Sequence, residues 1–149
     1  MTLQEKTLFR GKRVGDDTWV EGNYVNCLMD ANAKESRHYI VEYPGEFHEI
    51  YTSTVGQYTG LRDRADKMLF EGDIIESQSE YVDRYGTGTG RMCIQRFEVK
   101  RGRSGWVESK VFDSRGKFIP SCKGLKARTI NRNRSIVGNI YDNPELMQS

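Results

Sequence analysis

The stretch Thr54-Val55-Gly56-Gln57-Tyr58-Thr59-Gly60-Leu61-Arg62-Asp63, with Leu69-Phe70-Glu71-Gly72-Asp73-Ile74-Ile75 a few residues later, decides the fold. Residues 55–58 read as a strand that Gly60 closes. Residues 61–67 are charged and read as a turn or a single helical turn. Glu71-Gly72-Asp73 then opens a second strand at Ile74. A glycine just ahead of a short apolar strand permits positive φ and a tight entry. Small SH3-like barrels enter their sheet in this way.

Outward from this stretch the chain keeps the same grammar. Upstream, residues 7–14, 18–28, 38–43 and 47–52 are short runs rich in β-branched and aromatic residues. Asp16-Asp17 and Pro44-Gly45 break them as turn signals. In residues 18–28 apolar groups fall on both parities, which predicts a strand packed on two sides. Downstream, Cys93, Phe97 and Val99 share one face of a strand over 92–100. Residues 101–105 hold two glycines and read as a hairpin loop to a strand over 106–112. A short strand at 118–119 stops at Pro120, residues 121–134 hold at most one short helix, and residues 135–141 form the last strand. Asn143-Pro144-Glu145-Leu146 starts a terminal helical turn. No long run repeats apolar residues at helical spacing. The expected fold class is therefore mainly β, either all-β or α+β with a minor helix. The expected division is an N-terminal β-meander over 1–60, a candidate oligomerisation segment, and an SH3-type barrel over 61–149.

Composition narrows the function classes. Hydrophobic residues make up 36% and charged residues 30% of the 149, which favours a thin β architecture over one large core. No run approaches the roughly 18 apolar residues of a membrane-spanning helix. The first residues, Met1-Thr2-Leu3-Gln4-Glu5-Lys6, have no apolar signal core, so a cytoplasmic protein is expected. Cys27, Cys93 and Cys122 are odd in number and far apart, which fits a reducing compartment and small buried thiols. Charge is lopsided. Residues 91–134 carry 13 Lys/Arg and 3 Asp/Glu, whereas residues 1–90 carry 10 basic and 16 acidic residues. The basic third suits either a polyanion or an acidic surface on the same or another chain.

Motifs that suggest chemistry are weak. Gly86-x-Gly88-x-Gly90 lacks the Gly-Lys-Ser/Thr ending of a phosphate loop and precedes a strand, so it reads as a hairpin loop. His38 and His48 match no metal-ligand spacing, and no metal or cofactor is expected. Glu71 and Asp73, two apart, could form an acid–base pair or hold a cation, but turn residues that accept backbone N–H groups are favoured. Asn139, Asp142 and Asn143 read likewise as turn and cap residues. The best binding candidates are Arg101, Arg103, Arg115, Lys123, Lys126, Arg128, Arg132 and Arg134, with Tyr81, Tyr85, Trp106 and Phe118 as stacking platforms for single-stranded nucleic acid.

Three segments in order resemble the YopX family of phage and prophage proteins. Phe9-Arg10-Gly11-Lys12-Arg13 with Trp19-Val20-Glu21-Gly22-Asn23-Tyr24 is similar to its opening. Val55-Gly56-Gln57-Tyr58-Thr59-Gly60-Leu61 with Glu71-Gly72-Asp73-Ile74 is similar to its centre. Val137-Gly138-Asn139-Ile140-Tyr141-Asp142-Asn143-Pro144 is similar to its close. The motif residues are Gly56, Tyr58, Gly60, Glu71, Gly72, Asp73, Gly138, Asn139 and Pro144. The resemblance implies a mostly β fold, expression inside the host cell and assembly into oligomers, and it carries no catalytic residue. The expectation is a non-enzymatic accessory protein that contacts a host protein, a phage protein or a second copy of itself, with nucleic-acid binding through 101–134 as the alternative.

Overall fold

The computed structural model describes residues 8–28, 32, 36–112 and 118–148, and side chains throughout these except at 110–112 and 118–123. Eleven strands, one α-helix and two 3-10 turns make up the described chain. The fold is mainly β. The chain divides into two compact units, Met1–Gly60 and Leu61–Ser149.

In the first unit, β1 (Leu8–Lys12), β2 (Trp19–Cys27), β3 (Arg37–Glu42) and β4 (Glu46–Glu49) follow one another as antiparallel neighbours, and β5 (Gly56–Arg62) returns to the free edge of β1. Within this unit the strand order is β4-β3-β2-β1-β5, and β6 (Met68–Phe70) belongs to the second unit. Residue 22 must be small, because a Cβ there would strike the backbone of Val41 on the neighbouring strand. Ile40 and Ile50 are buried, and Thr54 accepts the Lys12 N–H at 2.8 Å through its hydroxyl. Strand β2 carries partners on both faces, although none of its residues is fully buried. Trp19 lies under the Arg10 guanidinium at 4.7 Å, while Tyr24 stacks on His38 and meets Phe9.

The second unit carries an open five-stranded sheet of order β10-β9-β8-β7-β11. Its strands are β7 (Asp73–Val82), β8 (Gly88–Gly102), β9 (Gly105–Phe112), β10 (Phe118–Gly124) and β11 (Ser135–Asn139). This corrects the expected SH3-like barrel. Closure requires the two edge strands to meet, and here β10 and β11 end the row at opposite sides. The reason is the length of β7 and β8, at 10 and 15 residues, which form one extended ribbon where a small barrel needs short, strongly tilted strands. The alternation expected in β8 holds, with Cys93, Phe97 and Val99 buried. Its neighbours reach further than the sequence suggests: β8 and β9 run up to Gly102 and Gly105, leaving two residues as the loop.

Helix α1 (Ala127–Asn133) closes the core of this unit. Seven residues are too few for an independent helix. It is held by Ile130, which is fully buried with Leu69, Ile75, Phe97 and Val99, while Leu61, Leu125 and Ile136 pack at the margin.

Candidate functional site

The family-like motif residues are placed in turns and in the sheet framework. Gly72 has φ +87°, a conformation that favours glycine, and its N–H donates to the Val99 carbonyl at 2.9 Å. Asp73 is buried, and its Oδ2 accepts the Phe70 N–H at 2.8 Å. Asn139 Oδ1 accepts the N–H groups of Tyr141 and Asp142, and Asn143 Oδ1 accepts the Asn139 N–H. Pro144 begins a 3-10 turn, Pro144–Met147, and Gly138 lies on β11. Gly56 and Tyr58 are buried on β5, Gly60 sits on the same strand with φ +81°, and Glu71 is half-buried beside Gly72. Asp63 carries an equal share that the sequence reading did not single out. Its Oδ1 accepts the Ala65 and Lys67 N–H groups, and its Oδ2 accepts the Ile136 N–H at 2.9 Å. One buried carboxylate thereby ties the turn after β5 to β11.

The basic candidates fall into two groups. Arg101 and Arg103 are exposed at the β8–β9 turn, and Lys126, Arg128 and Arg132 are exposed on and beside α1. The Arg101 guanidinium lies 5.6 Å from the Trp106 ring centre. Arg134 is different. Its Nε and Nη2 donate to the two carboxylate oxygens of Glu108, both at 3.0 Å, and its guanidinium sits over the Phe97 ring. Both partners of this bidentate pair are about nine-tenths buried. Arg115 lies outside the described residues, and Lys123 is placed on β10 by its backbone alone.

Beside the pair opens a cavity of about 430 Å³ lined by Glu108, Gly124, Lys126, Thr129, Ile130 and Arg134. Glu108 is the residue that sequence reading missed there. Its partner lies 26 positions away, so no local pattern marks it. The available signal was an acid on an alternating strand inside an otherwise basic stretch.

Beyond the core, β7 and β8 continue as an antiparallel arm, two-stranded among the described residues. The tip is pinned from within. Asp83 Oδ1 accepts the N–H groups of Tyr85 and Thr87, Glu80 Oε1 accepts that of Gly90, and Thr89 Oγ1 donates to the Tyr81 carbonyl. Backbone donors of this loop are thus already engaged, those of Thr87 and Gly90 by carboxylates and that of Gly86 by the Asp83 carbonyl, which argues for the hairpin reading. The arm exposes large apolar side chains: Tyr85 is 80% accessible, Val82 62%, Met92 55% and Ile94 37%. Met92 and Ile94, two apart on β8, share the face opposite the buried Cys93 and Phe97.

On the first unit, His48 is buried and places Nε2 3.2 Å from Glu42 Oε2 and 3.9 Å from Glu46 Oε2. His38 accepts or donates a hydrogen bond at Nδ1 with the Tyr24 hydroxyl. Cys93 is buried and Cys27 half-buried, neither of them in a disulfide, and Cys122 lies outside the described side chains.

Comparison with known proteins bears on the family and not on an activity. A search of curated proteins gave no match. Among solved structures, the crystal structure of protein EF1440 from Enterococcus faecalis aligns with 20% sequence identity and a TM-score of 0.47, covering 94% of this chain and 96% of that one. The model of the YopX protein family matches residues 8–148. This chain is therefore a member of the YopX family.

Proposed function

We propose that this protein is a non-enzymatic accessory protein, encoded by a phage or an integrated element, that works by contact, with a second copy of the chain as its first partner. The observation that carries this reading is the β7–β8 arm. An antiparallel ribbon extending past its own core exposes Val82, Tyr85, Met92 and Ile94, and exposed apolar groups clustered on one element mark contact sites. The polar residues of the family-like motifs support it too, since they are engaged by backbone N–H groups in turns.

Charge favours a copy of the chain as partner. Residues 1–60 carry 6 Lys/Arg against 9 Asp/Glu, and residues 61–149 carry 17 against 12, so unlike units of two copies attract. The magnitudes set the strength. Covering an aliphatic or aromatic side chain contributes about 1.5–3 kcal/mol, and a micromolar complex requires about 8 kcal/mol in total. Four such side chains reach that range only before the entropic cost of association is subtracted, so a weak, reversible oligomer is expected. Light scattering tests it. The weight-average mass should rise with concentration for the native chain and stay at the monomer value for a Tyr85→Ser/Met92→Lys variant. A native chain that remains monomeric at millimolar concentration removes the self-association reading.

A second reading is favoured by the exposed Arg101, Arg103, Lys126, Arg128 and Arg132, and by the guanidinium–indole contact of Arg101 with Trp106. It assigns to the protein a sequence-tolerant grip on single-stranded nucleic acid. Binding read by fluorescence anisotropy should fall steeply with salt, with a logarithmic slope reduced by about 0.7 for each phosphate contact removed. Arg134 should contribute little, because Glu108 already neutralises it. An oligonucleotide that fails to bind at low salt excludes this reading.

A further inference from the structure

We propose that Glu42, Glu46 and His48 form a site for one divalent transition-metal ion of the zinc type on the β3–β4 hairpin. The three donor atoms lie within 4.8 Å of one another. Local topology brings them together. Residues 43–45 form the loop, and the hairpin register sets Glu42 opposite Glu46 and Ile40 opposite His48. Alternate residues of a strand share a face, so all three side chains project from the same side.

The geometry is close to what zinc requires. Nitrogen and oxygen ligands bind at about 2.0–2.2 Å, which places two ligands of a tetrahedral ion about 3.3 Å apart. The His48–Glu42 separation of 3.2 Å already meets this, and the His48–Glu46 separation of 3.9 Å closes with a small rotation of an exposed glutamate. The imidazole is fixed by burial at 6% exposure, whereas the carboxylates, 52% and 70% exposed, are free to adjust. One anchored donor and two adaptable ones leave a fourth position for water or for a ligand from a binding partner. Imidazole selects zinc-like ions over calcium and magnesium, which take oxygen ligands.

Electrostatics favours the same occupant. Carboxylates placed directly opposite each other across two strands repel and weaken the hairpin. A dication between Glu42 and Glu46 converts that repulsion into attraction. Spacing along the chain does not reveal this site, because strand pairing brings its donors together. The donors follow Glu-x-x-x-Glu-x-His, and they converge only once Pro44-Gly45 turns the strand back on itself.

The inference is independent of the proposed function and is tested on the full chain after chelator treatment. Calorimetric titration with zinc chloride at neutral pH should show one equivalent bound in the micromolar range or tighter. In Glu42→Gln/Glu46→Gln, altered only at exposed positions, affinity should fall at least tenfold while the circular dichroism spectrum stays unchanged. Cobalt substituted for zinc should give d–d absorption without thiolate charge transfer, which separates this site from the cysteines. Absence of saturable binding overturns the proposal. Equal affinity in the double variant, or a thiolate band with cobalt, also overturns it, since the ion would then be held elsewhere.

Discussion

Asp63 accepts three backbone N–H groups, two from its own turn and one from Ile136, 73 residues away, and it does so while buried. Hydrogen bonds to a charged acceptor contribute about 1.5–3 kcal/mol each and are not additive. Asp63→Ala should therefore cost about 3 kcal/mol or more in urea unfolding, with Asp63→Asn costing less because it keeps one accepting oxygen. A change within about 0.5 kcal/mol, the scatter of ordinary surface substitutions, would contradict the role assigned to it. The Glu108–Arg134 pair makes the complementary case. Removing one partner leaves the other charged and buried, at a cost of about 3–5 kcal/mol, whereas replacing both by apolar residues of similar volume is often neutral. Arg134→Ala should thus be strongly destabilising, and Glu108→Leu/Arg134→Met should recover most of the loss in the same unfolding assay. If the double variant is as unstable as the single one, the pair serves more than structure, and the adjoining cavity becomes the first place to look.

Elements differ in how plainly the sequence announces them. Strand β8 is legible in its inner half because the buried Phe97 and Val99 alternate with Arg96, Glu98 and Lys100. The 3-10 turn at Pro144 and the turn at Gly72 are legible for a local reason, since proline fixes φ and glycine releases it. The outer half of β7 is not. Glu76-Ser77-Gln78-Ser79-Glu80 has little intrinsic preference for a strand, and it is extended because each residue pairs with β8 from Arg96 to Met92. Pro120 predicts the end of a strand, yet β10 passes through it. An edge strand tolerates a missing N–H, and the register shift between Phe118 and Ser121 absorbs it. Strand β6, three residues long, offers too few positions for any periodicity. The candidate sites were legible to a lesser degree for one shared reason. Exposed cations can be named from composition, but Glu108 with Arg134, and Glu42 with Glu46 and His48, become neighbours only through strand pairing.

At the scale of the whole molecule, the mainly β character follows from many short alternating runs, whereas the open second sheet in place of a barrel follows from a property no single run displays, the combined length of β7 and β8. That same ribbon carries the exposed apolar side chains on which the proposed contact rests. The most direct measurement is amide hydrogen exchange on the full chain at low and high concentration, read peptide by peptide. Association through the arm predicts slower exchange at high concentration across residues 79–94, with the core strands around Ile75, Phe97 and Val99 unchanged. Identical exchange across the arm at both concentrations, in a sample whose mass has increased, would contradict it and place the contact surface elsewhere on the chain.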